Sequence, residues 1–198
     1  MPEKSIKLTD PSALRGYAHP LRMSLLGLLR REGPMTATRA AAALGDNVPN
    51  CSFHLRQLAK YGLVERVPGA DARERPWQAT APSTAWDDDS DDPAMRAAAD
   101  QLTTVVVGQH MRRAEAYLAM RAEEPAEWRR AAGVSDALLY CTPSELVELV
   151  GQIDALLERF DARRADPASR PEGSRAVQLV YLAMPLAPLP TGGEVDRR

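Results

Sequence analysis

Apolar residues in the first eighty positions recur at the spacings of short amphipathic helices, and turn residues separate the runs. Asp10 can cap a first helix that opens at Pro11 and extends to about His19. Pro20 opens a second, with Leu21, Leu25, Leu28 and Leu29 along one side and Gly33-Pro34 as the stop. Met35 is a single residue able to pair with a later hairpin, and Thr36 caps a short alanine-rich third helix that ends at Leu44-Gly45. Asp46-Asn47 is a turn; a fourth helix starts at Pro49 and runs to Lys60-Tyr61, with Gly62 as a left-handed stop. Residues 63–67 and 76–80 then read as the strands of a hairpin whose tip holds Pro68-Gly69-Ala70-Asp71 and Arg73-Glu74-Arg75.

The pattern changes after Trp86. The run DDDSDD at 87–92 reads as an acidic linker, and Asp92-Pro93 opens a long helix reaching about Arg121. Apolar residues occupy more than one side of it, so one side is expected to face the chain's own domain and another a second subunit. Leu102, Val105, Val106, Gln109, Arg113 and Tyr117 are the expected subunit contacts. Beyond a polar stretch, Ala137–Cys141 reads as a strand. Thr142-Pro143-Ser144-Glu145 is a capping box opening a helix to about Arg164, and 175–186 reads as a last strand. The expected fold class is mainly α with small β: a winged helix-turn-helix, a long dimerisation helix and a small α+β C-terminal element. The expected boundaries are a flexible tail at 1–9, the winged helix at 10–81, the linker at 82–92, the dimer helix at 93–121, the α+β element at 122–187 and a tail at 188–198.

Charge adds one asymmetry. The first eighty residues hold 12 Lys and Arg against 7 Asp and Glu, whereas the remainder holds 13 against 20. A basic leading segment suits a phosphate-binding surface. No apolar run is long enough for a membrane span and the first residues do not resemble a signal peptide, so no membrane association and a cytoplasmic location are expected. Cys51 and Cys141 form neither a disulfide framework nor a zinc-ligand spacing.

Residues 49–60 carry the most chemistry. On a helix, Cys51, Leu55 and Leu58 face inward, while Pro49, Asn50, Ser52, Phe53 and Arg56 share the outer face near the leading end. Short polar groups, an arginine and an apolar ring on the N-terminal turns of such a helix can read base edges and thymine methyls in a major groove. Thr38, Arg39, Gln57 and Lys60 would lie nearer the backbone, and Arg73 and Arg75 project from the hairpin tip toward phosphate or the minor groove. His54 and Cys51 are expected to be packed rather than reactive. Trp86, Trp128 and Tyr140 either line an effector pocket or fill the junction between modules. No nucleophile–base pair, glycine-rich phosphate loop or metal-hydrolase motif is found, so no enzyme and no cofactor are expected.

Residues 17–67, from Tyr17-Ala18-His19-Pro20 to Val67, resemble the winged helix of arsenic-repressor (ArsR) type regulators. The likeness is carried by His19-Pro20-Leu21-Arg22, Ser52-Phe53-His54-Leu55 and Gly62-Leu63-Val64. It covers about residues 10–81, and the rest resembles the longer actinobacterial-type members more loosely. It implies a homodimer on an inverted repeat of double-stranded DNA, acting as a repressor that an unidentified small-molecule effector relieves. The metal-sensing cysteine pair of that family is missing, since the segment here is Met35-Thr36-Ala37-Thr38-Arg39. Asp100 and His110 share the long helix without a second His, so no metal site is expected. The competing reading is a winged-helix adaptor for protein interaction or ligand sensing that does not bind DNA.

Overall fold

The computed structural model describes residues 5–67 and 75–186. Four helices, α1 (Pro11–Tyr17), α2 (Pro20–Glu32), α3 (Ala37–Leu44) and α4 (Val48–Lys60), form the first layer. Each starts on a side chain that accepts an orphan backbone N–H. Asp10 accepts from Ser12, His19 Nδ1 from Leu21, Thr36 from Arg39 and Asn47 from Asn50, at 2.7–3.2 Å. The end of α3 falls on Gly45 at φ 65°, and Gly62 at φ 71° turns the chain out of α4. These ends match the helix breaks expected from the sequence, with α4 starting one residue early at Val48.

Around them, β2 (Val64–Arg66) pairs antiparallel with β3 (Trp77–Ala79), placing Val64 opposite Ala79 and Arg66 opposite Trp77. Met35 joins this hairpin by a bridge to Trp77, as its isolated position between helices suggested. Leu14, Leu25, Leu26, Leu55, Leu58 and Leu63 are fully buried at the centre. Burial of each such side chain stabilises the fold by about 1.5–3 kcal/mol. Gly16 lets α1 approach the end of α4, since a Cβ there would lie 2.1 Å from the Tyr61 ring.

Two segments expected to be loose are ordered. Within the supposed tail, β1 (Ile6–Leu8) pairs in parallel with β4 (Thr84–Trp86), which lies inside the supposed linker. Leu8 is buried there, and Arg30 of α2 clamps the returning chain through the Ala81 carbonyl and the Thr84 hydroxyl. Three-residue strands leave little periodicity to read, and their pairing partner is almost eighty residues distant.

Helix α5 (Pro93–Met120), capped by Asp92, spans about 42 Å. Its first half lies on α1 and completes the core through Met95, Ala98, Ala99 and Leu102. Two of the expected subunit contacts, Leu102 and Gln109, are instead buried within the chain. Leu102 is 0% exposed, and Gln109 is buried with its Nε2 donating to Ser24 Oγ at 3.0 Å. Val105 and Val106 pack, partly buried, against the same core. The chain's own domain thus covers Leu102 and Gln109 fully and Val105 and Val106 in part. Arg113 is exposed, and Tyr117 half-buried.

The C-terminal third contains α6 (Ala126–Ala131), α7 (Pro143–Glu158) and α8 (Asp161–Ala165). The capping box at Thr142 and Glu145 forms as its sequence requires. The strands expected at 137–141 and 175–186 do not: both segments are present without ladder pairing, so the β structure of the described residues belongs to the N-terminal half. No helix among the described residues is long and apolar enough to cross a membrane.

Candidate nucleic-acid interface

Helix α4 sits on the body of the domain by one face. Cys51, Leu55 and Leu58 are fully buried and His54 nearly so, which fixes the opposite face outward. On that face Pro49, Phe53, Arg56 and Lys60 are exposed and Ser52 and Gln57 half-exposed. Phe53 keeps 47% of its surface in solvent, unusual for a phenyl ring with a core alongside. Arg56 Nη1 lies 3.5 Å from Ser52 Oγ one turn back, so the two form one polar stripe. Thr38 and Arg39 lie exposed on α3.

Asn50 is less free than expected. Its Nδ2 donates to both oxygens of Asp46, at 3.1 and 3.2 Å. Hydrogen bonds from the Asn50 side chain and the Asn47 backbone hold the Asp46 carboxyl below its ordinary range. The donor half of the Asn50 amide is therefore spent on the turn that positions α4.

His54 packs beneath this surface, as expected. Its ring stacks on His19 at 4.4 Å between centroids, with Phe53 edge-on at 5.2 Å. Burial, then the neighbouring His19 and Arg22, push His54 below the usual imidazole range, and Asp46 opposes them. His19 is lowered by burial and then by Arg22. Burial, followed by the Asp46 charge, raises the Cys51 thiol, which keeps it protonated and inert.

A residue not singled out from the sequence completes the face. The Arg66 guanidinium lies over the Trp77 ring at 3.9 Å and donates to the Arg75 carbonyl. Burial, then the charges of Arg75 and Arg56, lower its affinity for its proton, which places three guanidiniums of α4 and the hairpin in one field. Such like charges repel one another unless an anion joins them. Strand alternation alone marks Arg66 as an ordinary exposed position; the neighbouring Arg56 comes from a helix that only the fold brings near. Arg75 is exposed, while Arg73 lies outside the described residues.

Trp86, Trp128 and Tyr140 do not share a pocket. Tyr140 is 95% exposed, Trp86 packs on the core of the winged helix, and Trp128 carries the Arg175 guanidinium at 4.9 Å. Among the described residues no group of three or more His, Cys, Asp or Glu gathers.

The sequence comparisons agree with this geometry over a limited span. No curated protein matches the chain. Residues 17–67, from the last turn of α1 to the end of β2, match the family model of a helix-turn-helix domain. With its leading turns open and cations around them, this part of the chain is a helix-turn-helix domain of the DNA-binding kind, which supports a regulator of transcription.

Proposed function

We propose that the protein is a sequence-specific transcriptional regulator of the ArsR-like kind, a homodimer that represses from an inverted-repeat operator. The observation that carries this reading is the open outer face of α4. Phe53 and Arg56 are uncovered by the rest of the chain and Ser52 is half-exposed beside them, with Arg66 and Arg75 flanking them. Arg56 and Ser52 read base edges and Phe53 meets thymine methyls. Thr38, Arg39, Gln57 and Lys60 set the register on phosphates, and the hairpin arginines hold the flanking backbone. Two copies place their α4 helices in successive major grooves about 34–36 Å apart. An effector would relieve repression by changing that spacing.

The test is operator binding by wild type and Arg56→Ala on a duplex selected from random sequence by the wild type. Loss of a base-reading arginine costs about 1–3 kcal/mol on the selected duplex and much less on a scrambled one. Equal affinity of the two proteins for the selected duplex would remove Arg56 from the readout. Failure to select any duplex would leave the adaptor reading in its place.

A further inference from the structure

The C-terminal third displays a broad apolar surface, with Leu138, Val147, Leu156, Val177 and Leu179 all exposed. Residues 175–186 form no helix or ladder, and their apolar residues fall on both alternations of the chain: Val177 and Leu179 on one, Leu182 and Met184 on the other. A segment of that pattern is typical of a strand covered on both faces. Here Val177 and Leu179 are 69% and 64% exposed. Among the described residues, none of 175–186 or 133–141 donates or accepts a backbone–backbone hydrogen bond. The later segment is held by side-chain contacts: Arg175 on Glu124 and the Trp128 ring, Gln178 on His110 and Arg113, and Tyr181 on Asp154.

The exposed area sets the scale of surface open to a partner. The chain exposes 14527 Å², where a compact monomer of 21.6 kDa exposes about 9,200 Å². Leaving the residues outside the described ranges off both sides of the comparison, at the largest exposure a chain can have, still leaves an excess of about 2,500 Å². Burying that much on each of two chains falls in the range of obligate homodimers, and well above a transient contact.

We propose that the C-terminal third is an arm exchanged between two copies of this chain, in which segments 137–141 and 175–186 pair across the two-fold axis and cover α7 of the partner. This rests on the homodimer reading above and gives it a location. Each chain supplies two unpaired edges that leave one another unpaired within the chain, so a symmetric exchange satisfies both at once. The half-covered stripe of α7, with Val147 and Leu156 open beside it, supplies the apolar surface on which the paired segments settle.

The experiment combines the mass of the full chain in solution at low micromolar concentration with amide hydrogen exchange. The expected result is a dimer in which 137–141 and 176–184 exchange roughly a hundred-fold more slowly than unstructured peptide. In Val177→Asp/Leu179→Asp that protection vanishes and the mass halves, while exchange in α2 and α4 is unchanged. A wild-type dimer whose two segments exchange freely overturns the arm and leaves the homodimer standing on another surface. A monomeric wild type overturns both. If the double variant is insoluble, a spin label on exposed Cys141 replaces it, Cys51 being buried. One defined inter-label distance, abolished by diluting labelled chains with excess unlabelled chain, supports the exchange; absence of any inter-label distance refutes it.

Discussion

Removing the Arg66 charge tests the cationic face quantitatively. Arg39, Arg56, Lys60, Arg66 and Arg75 are the exposed cations on α3, α4 and the hairpin in each described chain. If each neutralises one phosphate in a dimeric complex, log K should fall with log salt at a slope near −9, because each contact contributes about 0.9. Arg66→Gln removes one contact per subunit, so the slope becomes shallower by about 1.8. Over a rise from about 50 to 200 mM salt, wild-type binding then weakens about twelve-fold more than binding by the variant. The substitution also removes a cation–π contact with Trp77 of about 0.5–1 kcal/mol, so thermal unfolding of the free protein must be followed in parallel. Fluorescence anisotropy with a labelled duplex at four salt concentrations reads the slope directly. Parallel log–log lines for wild type and Arg66→Gln, with the variant fully folded, would show that Arg66 meets no phosphate, and the hairpin would lose its assigned part in docking.

Three further outcomes concern the fold that carries this face. Leu102→Ala, at a fully buried site where α5 closes the core, should lower unfolding stability by about 2–5 kcal/mol by denaturant titration; a loss below about 0.5 kcal/mol would mean α5 is not part of the core. Gly16→Ala should cost about 1–3 kcal/mol, because its methyl group enters the space of the Tyr61 ring; an unchanged melting temperature would show that the ring swings aside freely. The lowered His19 and His54 make the unfolded chain bind more protons than the folded one as pH falls below 6.5. The contribution is neutral above that pH, and stability is lost on going down toward the lowered native values. The melting temperature should therefore drop between pH 7.5 and 5.5 more steeply in wild type than in His54→Leu, and equal drops would contradict the buried, neutral pair.

Much of the N-terminal half was legible because its signals are local. Caps at Asp10 and Thr36, the turn at Asp46-Asn47, the glycines at 45 and 62 and the leucine spacing of α2 each act within one or two turns of the residue that carries them. The inward Cys51, Leu55 and Leu58 dictate the outward Ser52, Phe53 and Arg56 by helix geometry alone, so the face of α4 could be drawn from the chain. Asn50 could not, because its amide answers to Asp46, whose turn sets the distance between them.

What tertiary structure decided was the fate of groups whose partners lie far along the chain. Ile6–Leu8 finds Thr84–Trp86, Gln109 finds Ser24, and Arg66 meets Arg56 through a fold that no spacing rule encodes. The segments at 137–141 and 175–186 show the same division from the other side. Their residue types favour strands, yet a strand exists only as one member of a ladder, and the second member is a matter of which surfaces the folded molecule brings together. Helix ends depend on free energies gained within a turn of chain; the pairing of strands far apart in the chain depends on free energies gained across it, and only that second kind needed the tertiary structure.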